Sequence, residues 1–279
     1  MRKGVVFGAG GTGRHVYEMN KDTTEILCFV DNDETKTGSG GGIDGKEICR
    51  PGILKELDFD VVFLGTLMGL DEVPKQLKAL GVPVEKLDKT YVEISVWARI
   101  LFLQRFSERV YKEGIEGTVA EAGVYRGEFA KHINRLFPDR RCYLFDTFEG
   151  FTDYDISKEQ EQSLVDANHL KNVKAEDTLA KMSNLDMVEV RIGRFPETAA
   201  GLEEKFAFVN LDMDLYEPTL EGLWLFYPRM SEGGIILVHD YFNKAYPNIE
   251  KAISNYEKEQ GERLHKMPIG DDITMAIVK

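Results

Sequence analysis

Residues 121–127 read Glu121-Ala122-Gly123-Val124-Tyr125-Arg126-Gly127. They begin within the strand-like Val119 to Gly123 and lead into Glu128 to Phe137, which has helical periodicity. An acid and two glycines at such a turn predict a parallel α/β unit. The acid-x-G-x-x-x-G spacing differs from that of a dinucleotide loop. It leaves room beside the strand end for an amino-acid-bearing ligand rather than for a diphosphate on the helix dipole. Asp146 ends the next strand, Arg141 to Asp146, and stands 19 residues after Gly127 (146 − 127). A carboxylate there can take two ribose hydroxyls.

Three further clusters follow predicted strands: Leu144-Phe145-Asp146-Thr147-Phe148-Glu149-Gly150, Asp212-Met213-Asp214 and His239-Asp240-Tyr241. The strands preceding the last two are Phe206 to Asp212 and Gly234 to His239. Met187 to Ile192 and Thr274 to Lys279 complete the strand set, and Ala175 to Met182, Pro218 to Met230 and Asn248 to Gln260 read as helices. Ligands sit at the carboxyl ends of strands in such sheets, so the four clusters are expected to converge on one cleft.

A smaller α/β unit precedes this one. Residues 1–92 contain predicted strands at Gly4 to Gly8, Glu25 to Val30 and Asp60 to Leu64, helices at Arg14 to Asn20 and Asp71 to Leu80, and a glycine-dense loop at Gly38 to Gly45. Gly8-Ala9-Gly10-Gly11-Thr12-Gly13 satisfies G-x-G-x-x-G, and Asp31 closes the next strand 18 positions on (31 − 13). Gly8, Gly10, Gly11 and Gly13 would let the backbone approach a diphosphate, and Asp31 would reach a ribose. A tight turn that binds nothing is the alternative. Residues 8–16, Phe29-Val30-Asp31-Asn32-Asp33 and Gly45-Lys46-Glu47-Ile48 resemble the small N-terminal domain of bacterial sugar acetyltransferases, which holds a nucleotide sugar. Residues 93–117 read as a helical linker. Ile94, Trp97, Ile100, Leu101, Leu103, Phe106 and Val110 recur at helical spacing, as core or as a homo-oligomer interface.

Composition bounds the rest. Thirty-five Lys plus Arg against 48 Asp plus Glu leave a net charge of −13 over 279 residues. An acidic surface repels phosphate backbones, which argues against nucleic acid or anionic lipid as partners. The longest apolar run, Ile94 to Leu103, is interrupted by Arg99 and falls short of the roughly 20 residues of a membrane helix. No signal peptide is legible. Cys28, Cys49 and Cys142 lack paired metal spacing, so a reduced, cytoplasmic protein is expected.

Residues from about 100 to 279 resemble the macrocin O-methyltransferase family. The resemblance rests on Glu121 to Gly127, Phe145 to Phe151, Asn210-Leu211-Asp212-Met213-Asp214-Leu215-Tyr216-Glu217, Tyr227-Pro228, and Gly233-Gly234 through His239-Asp240-Tyr241. It implies a Rossmann-like domain over residues 118–279 closed by an antiparallel last strand. It further implies S-adenosylmethionine as cofactor and methylation of a hydroxyl on a sugar-containing small molecule, assisted by a divalent metal, magnesium or manganese. By this resemblance Glu121, Gly123, Val124, Tyr125 and Gly127 line the methionine part, Asp146 holds the ribose, and Thr147 and Phe148 lie beside the adenosine. Gly193, Arg194 and Phe195 lie on the adenine side. Asp212 is the implied general base, and Asp214, His239 and Asp240 the implied metal ligands. The family commonly has two aspartates where this chain has His239-Asp240. Magnesium prefers oxygen, so the metal differs, His239 faces away, or the site is metal-free.

Other readings stay open on the residues alone. Asp212 and Asp214 could cap a helix, Asp146 could serve an Asx turn, and His239 could be a core histidine. Tyr154 and Lys158 form the Y-x-x-x-K pair of short-chain dehydrogenases, the rival being an NAD-dependent oxidoreductase or epimerase using Gly8 to Gly13. A nonenzymatic nucleotide sensor is a third reading. The charged stretch Asp153 to Leu170, with His169, reads as a mobile lid.

Overall fold

Val61–Leu64 is a run of four apolar residues, all buried, and Phe206–Leu211 a run of six buried residues. Strands buried on both faces are characteristic of parallel sheets sandwiched between helices. The computed structural model contains two such sheets, in two compact units, Met1–Trp97 and Ala98–Lys279. It describes residues 1–37, 42–151, 153–159, 170–171, 173–243 and 246–279.

The first unit runs β1 (Arg2–Phe7), α1 (Gly11–Asn20), β2 (Thr24–Val30), β3 (Gly42–Ile43), β4 (Lys46–Cys49), β5 (Val61–Leu64), α2 (Glu72–Ala79) and β6 (Leu87–Asp88). The strand order is β3-β4-β2-β1-β5-β6, parallel except for the β3–β4 hairpin. Side chains alternate across the sheet: Val5 and Phe7 join one apolar cluster with Val62 and Leu64, and Val6 joins another with Val61 and Phe63. The glycine-dense stretch expected to be loop through Gly45 instead includes strand β3. Asp44 and Gly45, at φ +50° and +75°, make the two-residue turn of a hairpin that buries Ile43. The start of α1 lies against the end of β1, and a Cβ on Gly13 would stand 1.9 Å from the Gly8 carbonyl oxygen.

Helix α3 (Thr90–Glu113) is continuous over 24 residues, and the division between the units falls within it. Leu103, Phe106 and Val110 are buried in the second unit, each contributing about 1.5–3 kcal/mol by leaving water. Ile94, Trp97 and Leu101 are 61%, 58% and 51% exposed. Among the described residues no helix is long and apolar enough to cross a membrane.

The second unit continues with β7 (Thr118–Ala122), α4 (Ala130–Leu136), β8 (Cys142–Asp146), α5 (Asp153–Lys158), α6 (Ala175–Leu179), β9 (Val188–Ile192), β10 (Phe206–Leu211), α7 (Tyr216–Phe226), β11 (Met230–Val238), α8 (Asn248–Gln260), β12 (His265–Pro268) and β13 (Met275–Val278). The order is β12-β13-β11-β10-β7-β8-β9. Strands β7 to β11 are mutually parallel, and β13 is antiparallel between β11 and β12. The expected antiparallel closing strand is therefore present. Strand β12 escaped the sequence reading because its residues are half-buried or exposed and it ends in Pro268. One apolar layer packs Phe145, Phe206, Val209 and Leu211 against Leu223, Phe226, Ile253 and Tyr256 of α7 and α8. The other packs Val119, Leu144 and Phe208 against Leu103, Phe106 and Ile133 of α3 and α4. From β7 the chain steps outward through β8 and β9, then returns to β10 on the other side. The crevice between β7 and β10 is the switch point at which such sheets bind ligands.

Candidate active site

At that switch point the backbone admits only glycine. Gly123 has φ +84°, and a Cβ there would lie 1.8 Å from the Asp212 carbonyl oxygen. The Asp212 amide donates to the Ala122 carbonyl at 2.8 Å, and the His239 amide to the Leu211 carbonyl at 2.9 Å. The ends of β7, β10 and β11 are thereby tied side by side. Tyr125, Phe148, Asp214 and Asp240 stand after β7, β8, β10 and β11 with φ of +48°, +56°, +60° and +58°. Left-handed backbone at non-glycine residues costs energy, and here it recurs at four adjoining strand ends.

Asp146 lies at the end of β8, as expected, and staples the glycine loop. Its Oδ2 accepts the Val124 and Tyr125 amides at 2.6 and 2.7 Å, and its Oδ1 accepts the Phe148 amide at 2.7 Å. These three bonds shape the loop and leave acceptor capacity on Oδ1. Thr147 spends its hydroxyl on the Gly150 carbonyl at 2.7 Å. Phe148 is buried. Gly127 packs against Thr178, whose hydroxyl donates to the Tyr125 carbonyl at 3.1 Å.

Two of the residues expected on the adenine side are engaged elsewhere. Past Gly193 (φ +135°) the chain turns inward, and the Phe195 ring lies in the core, 5.6 Å from Phe145 and 5.8 Å from Phe226. Arg194 pairs with Asp155 at 2.9 Å and Glu197 at 2.6 Å and covers the Tyr154 ring at 4.9 Å. Its charge anchors α5. Glu159 then accepts from the Tyr216 amide and, at 2.7 Å, from Asn248 Nδ2. The described part of the expected lid is thus pinned, because the buried Asp155 requires its ion partner. His169 and the Lys158 side chain lie outside the described residues.

The acidic residues form a connected network, buried at Glu121, Asn210 and Asp240 and half-buried at Asp212 and His239. His239 Nδ1 lies 2.8 Å from Asp240 Oδ2 and 3.0 Å from Asp212 Oδ1. A nitrogen facing two carboxylates carries the hydrogen. Asp240 Oδ1 accepts from Asn243 Nδ2 at 2.6 Å. On the far side, Arg99 Nη2 donates to Asp212 Oδ2 at 3.2 Å and to Asn210 Oδ1 at 2.8 Å. Asn210 Nδ2 donates to Glu121 Oε1 at 2.7 Å.

Protonation follows from these contacts. Burial works against ionisation of Asp212, but His239 and Arg99 overcome it and hold the carboxyl well below the usual range. Burial likewise opposes the His239 charge, yet Asp212 and Asp240 push the imidazole up to about 10. Asp240 is held low against burial, chiefly by His239. Burial and the neighbouring charges of Asp240 and Asp212 push Asp214 well up, so it keeps its proton and hydrogen-bonds Asp240. Burial, with Asp212 adding to it, pushes Glu121 up to about 8. Near neutral pH the cluster holds two anions, Asp212 and Asp240, against two cations, Arg99 and His239.

The grouping differs from the expected ligand set. Ligand-capable atoms of Asp212, His239 and Asp240 lie within 4.8 Å of one another; among the described residues Asp214 is not one of this group. The Leu215 amide closes a tight turn onto the Met213 carbonyl at 2.7 Å, which takes Asp214 out of strand alternation. Two oxygens and a nitrogen fit a divalent cation if His239 Nδ1 gives up its proton, and suit manganese, iron or zinc better than magnesium. Sequence reasoning passed over Arg99 and Asn210. Both carried a signal: a charge inside an apolar run, and an amide inside a fully buried strand.

In the first unit, Asp31 repeats the behaviour of Asp146. Its Oδ2 accepts the Ala9 amide at 2.8 Å and its Oδ1 the Asp33 amide at 2.9 Å, with Lys36 Nζ 3.4 Å away. Gly8 and Gly13 serve close packing, whereas a Cβ at Gly10 would meet nothing within 4 Å and Gly11 opens α1.

The strand order of the second sheet, with β13 antiparallel beside β11, is that of a Rossmann-like methyltransferase fold. Residues 79–271 match the family described as Macrocin-O-methyltransferase (TylF), and the chain belongs to that family. Residues 1–87 match a separate family, C2185-like, N-terminal. The chain is 29% identical over 172 residues to the 8-demethyl-8-(2,3-dimethoxy-alpha-L-rhamnosyl)-tetracenomycin-C 4'-O-methyltransferase of Streptomyces olivaceus, covering 57% of this chain and 65% of that protein. It is 29% identical over 178 residues to the Mycinamicin III 3''-O-methyltransferase of Micromonospora griseorubida, covering 58% and 69%. Among solved structures, the O-methyltransferase NovP aligns with a TM-score of 0.56 at 24% identity, covering 65% of this chain and 79% of NovP. The calicheamicin methyltransferase CalS11 aligns with a TM-score of 0.53 at 19% identity, covering 76% and 88%. These two share the fold.

Proposed function

We propose that this chain transfers the methyl group of S-adenosylmethionine to a hydroxyl of a sugar-containing acceptor. The single observation that carries the reading is the abutment of the Gly123 loop on Asp212, which sets a cofactor loop beside an ionised, half-buried carboxylate. The relatives' names, a rhamnosyl tetracenomycin and a mycinamicin, favour a glycosylated natural product or nucleotide sugar as acceptor.

S-adenosylmethionine supplies an electrophilic methyl on a sulfonium. The acceptor oxygen forms the new C–O bond as the C–S bond breaks, and its proton passes to the Asp212 carboxylate. A strongly acidic carboxyl is a weak base, so proton transfer accompanies methyl transfer rather than preceding it. Val124 and Tyr125, held by Asp146, fix the loop on the donor side. Glu121, neutral at the base of the cleft, adds no charge to repel the acceptor. A dication would lower the pKa of the acceptor hydroxyl, and Asp212, His239 and Asp240 are the residues that would hold it.

Reduced Cys28, Cys49 and Cys142 support a cytoplasmic enzyme, and the exposed Ile94, Trp97 and Leu101 support a homo-oligomer. The test is calorimetric titration with S-adenosylmethionine, followed by transfer of labelled methyl to dTDP-L-rhamnose and to rhamnosides. Saturable binding and a labelled methyl ether are expected. No binding at high micromolar donor would overturn the assignment.

A further inference from the structure

Phe242 is 41% exposed, yet its backbone is fixed on both sides. Its amide donates to the Ile273 carbonyl at 3.2 Å. Asp271 holds that loop in turn, accepting from the Thr274 amide at 2.8 Å and the Thr274 hydroxyl at 2.6 Å. Asn243 closes the turn, its amide on the Asp240 carbonyl at 3.0 Å and its Nδ2 on Asp240 Oδ1 at 2.6 Å. The ring stands edge-to-face with Tyr241, centroids 4.9 Å apart, and Tyr241 packs on the core layer of α7 and α8. Single exposed apolar side chains are ordinary. This one is held on fixed backbone two residues past Asp240, at the carboxyl edge where such sheets bind ligands.

The strand order identifies the ligand it meets. Along that edge the Gly123 loop and Asp146 stand over β7 and β8, Asp212 follows β10, and His239 and Asp240 follow β11. Phe242 is bonded to the loop that enters β13. Neighbouring strands are about 4.8 Å apart. With the donor over β7 and β8, an acceptor that presents a hydroxyl to Asp212 extends towards β11 and β13. We propose that Phe242 is the platform for the acceptor's sugar: the ring lies with a C–H face on the phenyl group, and the stack selects which hydroxyl reaches Asp212. The proposal rests on the methyltransferase reading of this cleft. A pyranose fits it by chemistry. Its ring C–H bonds make one face apolar and weakly positive, which suits the negative face of an aromatic ring, and the hydroxyls at its edge suit the carboxylates.

The experiment compares the full-length wild type with Phe242→Ala, Phe242→Leu and Phe242→Trp. The probes are methyl α-L-rhamnopyranoside and dTDP-L-rhamnose, with S-adenosylhomocysteine for binding and S-adenosylmethionine for turnover. Saturation-transfer NMR should mark the ring C–H protons of one sugar face in the wild type and in Phe242→Trp, and lose that pattern in Phe242→Ala. An aromatic stack corresponds to about 2- to 10-fold in affinity, so KM for the sugar should rise by that order in Phe242→Ala. The methyl group should then spread over neighbouring hydroxyls, whereas S-adenosylhomocysteine affinity and melting temperature stay near wild type. Marking of both probes shows that the sugar is held without its nucleotide, and marking of dTDP-L-rhamnose alone makes a nucleotide sugar the source; either supports the platform. A wild type that binds S-adenosylhomocysteine but marks neither probe overturns it, as does Phe242→Ala with wild-type KM and a single product. If Phe242→Ala does not fold, Phe242→Leu decides, because it keeps apolar bulk without the aromatic face. A wild type that fails to bind S-adenosylhomocysteine would instead remove the reading on which the proposal stands.

Discussion

His239 and Asp240, neighbours in the chain, are joined side chain to side chain, Nδ1 to Oδ2 at 2.8 Å. The same nitrogen reaches Asp212 at 3.0 Å, so one proton lies between the two carboxylates that would otherwise repel each other. That proton and a metal ion compete for one nitrogen.

Divalent cation binding should therefore release a proton and tighten as pH rises. With His239 pushed up to about 10, the imidazolium form dominates at neutral pH. Affinity should grow by up to about tenfold per pH unit below that value. Calorimetry with Mn²⁺ in buffers of different ionisation heat measures the proton count. His239→Asp should bind Mg²⁺ more tightly and lose this proton release; pH-independent Mn²⁺ affinity in the wild type would exclude His239 as a ligand.

Glu121→Gln should flatten the fall of stability with pH. The Glu121 carboxyl rises from 4.5 to about 8 on folding, so the folded state binds the extra proton between those values. Its contribution is fully present below 4.5 and is lost as pH rises through about 8. One proton corresponds to about 1.4 kcal/mol per pH unit in that window. Glutamine keeps the acceptor for Asn210 without the charge. Urea midpoints at low and high pH should diverge less in the mutant than in wild type, and equal slopes would reassign the protonated group.

Asp212→Asn should retain the fold and donor binding. General-base catalysis contributes about 10²–10⁴-fold, and kcat should drop by that order. Turnover within twofold of wild type would move the base to another group.

Asp146→Ala should cost both loop order and donor affinity. Three amides lose their acceptor, and charge-assisted bonds of this kind suggest a loss of about 2–4 kcal/mol in S-adenosylmethionine binding. Thermal melting with and without donor separates the two effects. A mutant with unchanged melting temperature and unchanged affinity would show that the staple is dispensable.

The strand-end clusters were legible because they are local. Glu121 to Gly127, Leu144 to Gly150, Asp212 to Asp214 and His239 to Tyr241 each follow a β-patterned run, and parallel topology sends every such end to one edge. Asp146 was found by position; that it also staples three loop amides was not legible, since a carboxylate that binds ribose and one that staples amides occupy the same place in sequence. Asp31 repeats the lesson in the first unit. Asp214 stands outside the Asp212, His239 and Asp240 group because strand alternation ends there, in a tight turn.

Composition, periodicity and motif order by themselves determined two α/β units, a cleft at the carboxyl edge of the second sheet, and the acids that line it. These follow from backbone geometry and side-chain spacing over a few residues. Tertiary structure alone decided which charges meet. Arg99 reaches Asp212 across 113 positions, and Asn210 reaches Glu121 across 89. Burial then fixes the protonation of each group through the net charge of its neighbours, a property of three-dimensional proximity that linear spacing does not carry.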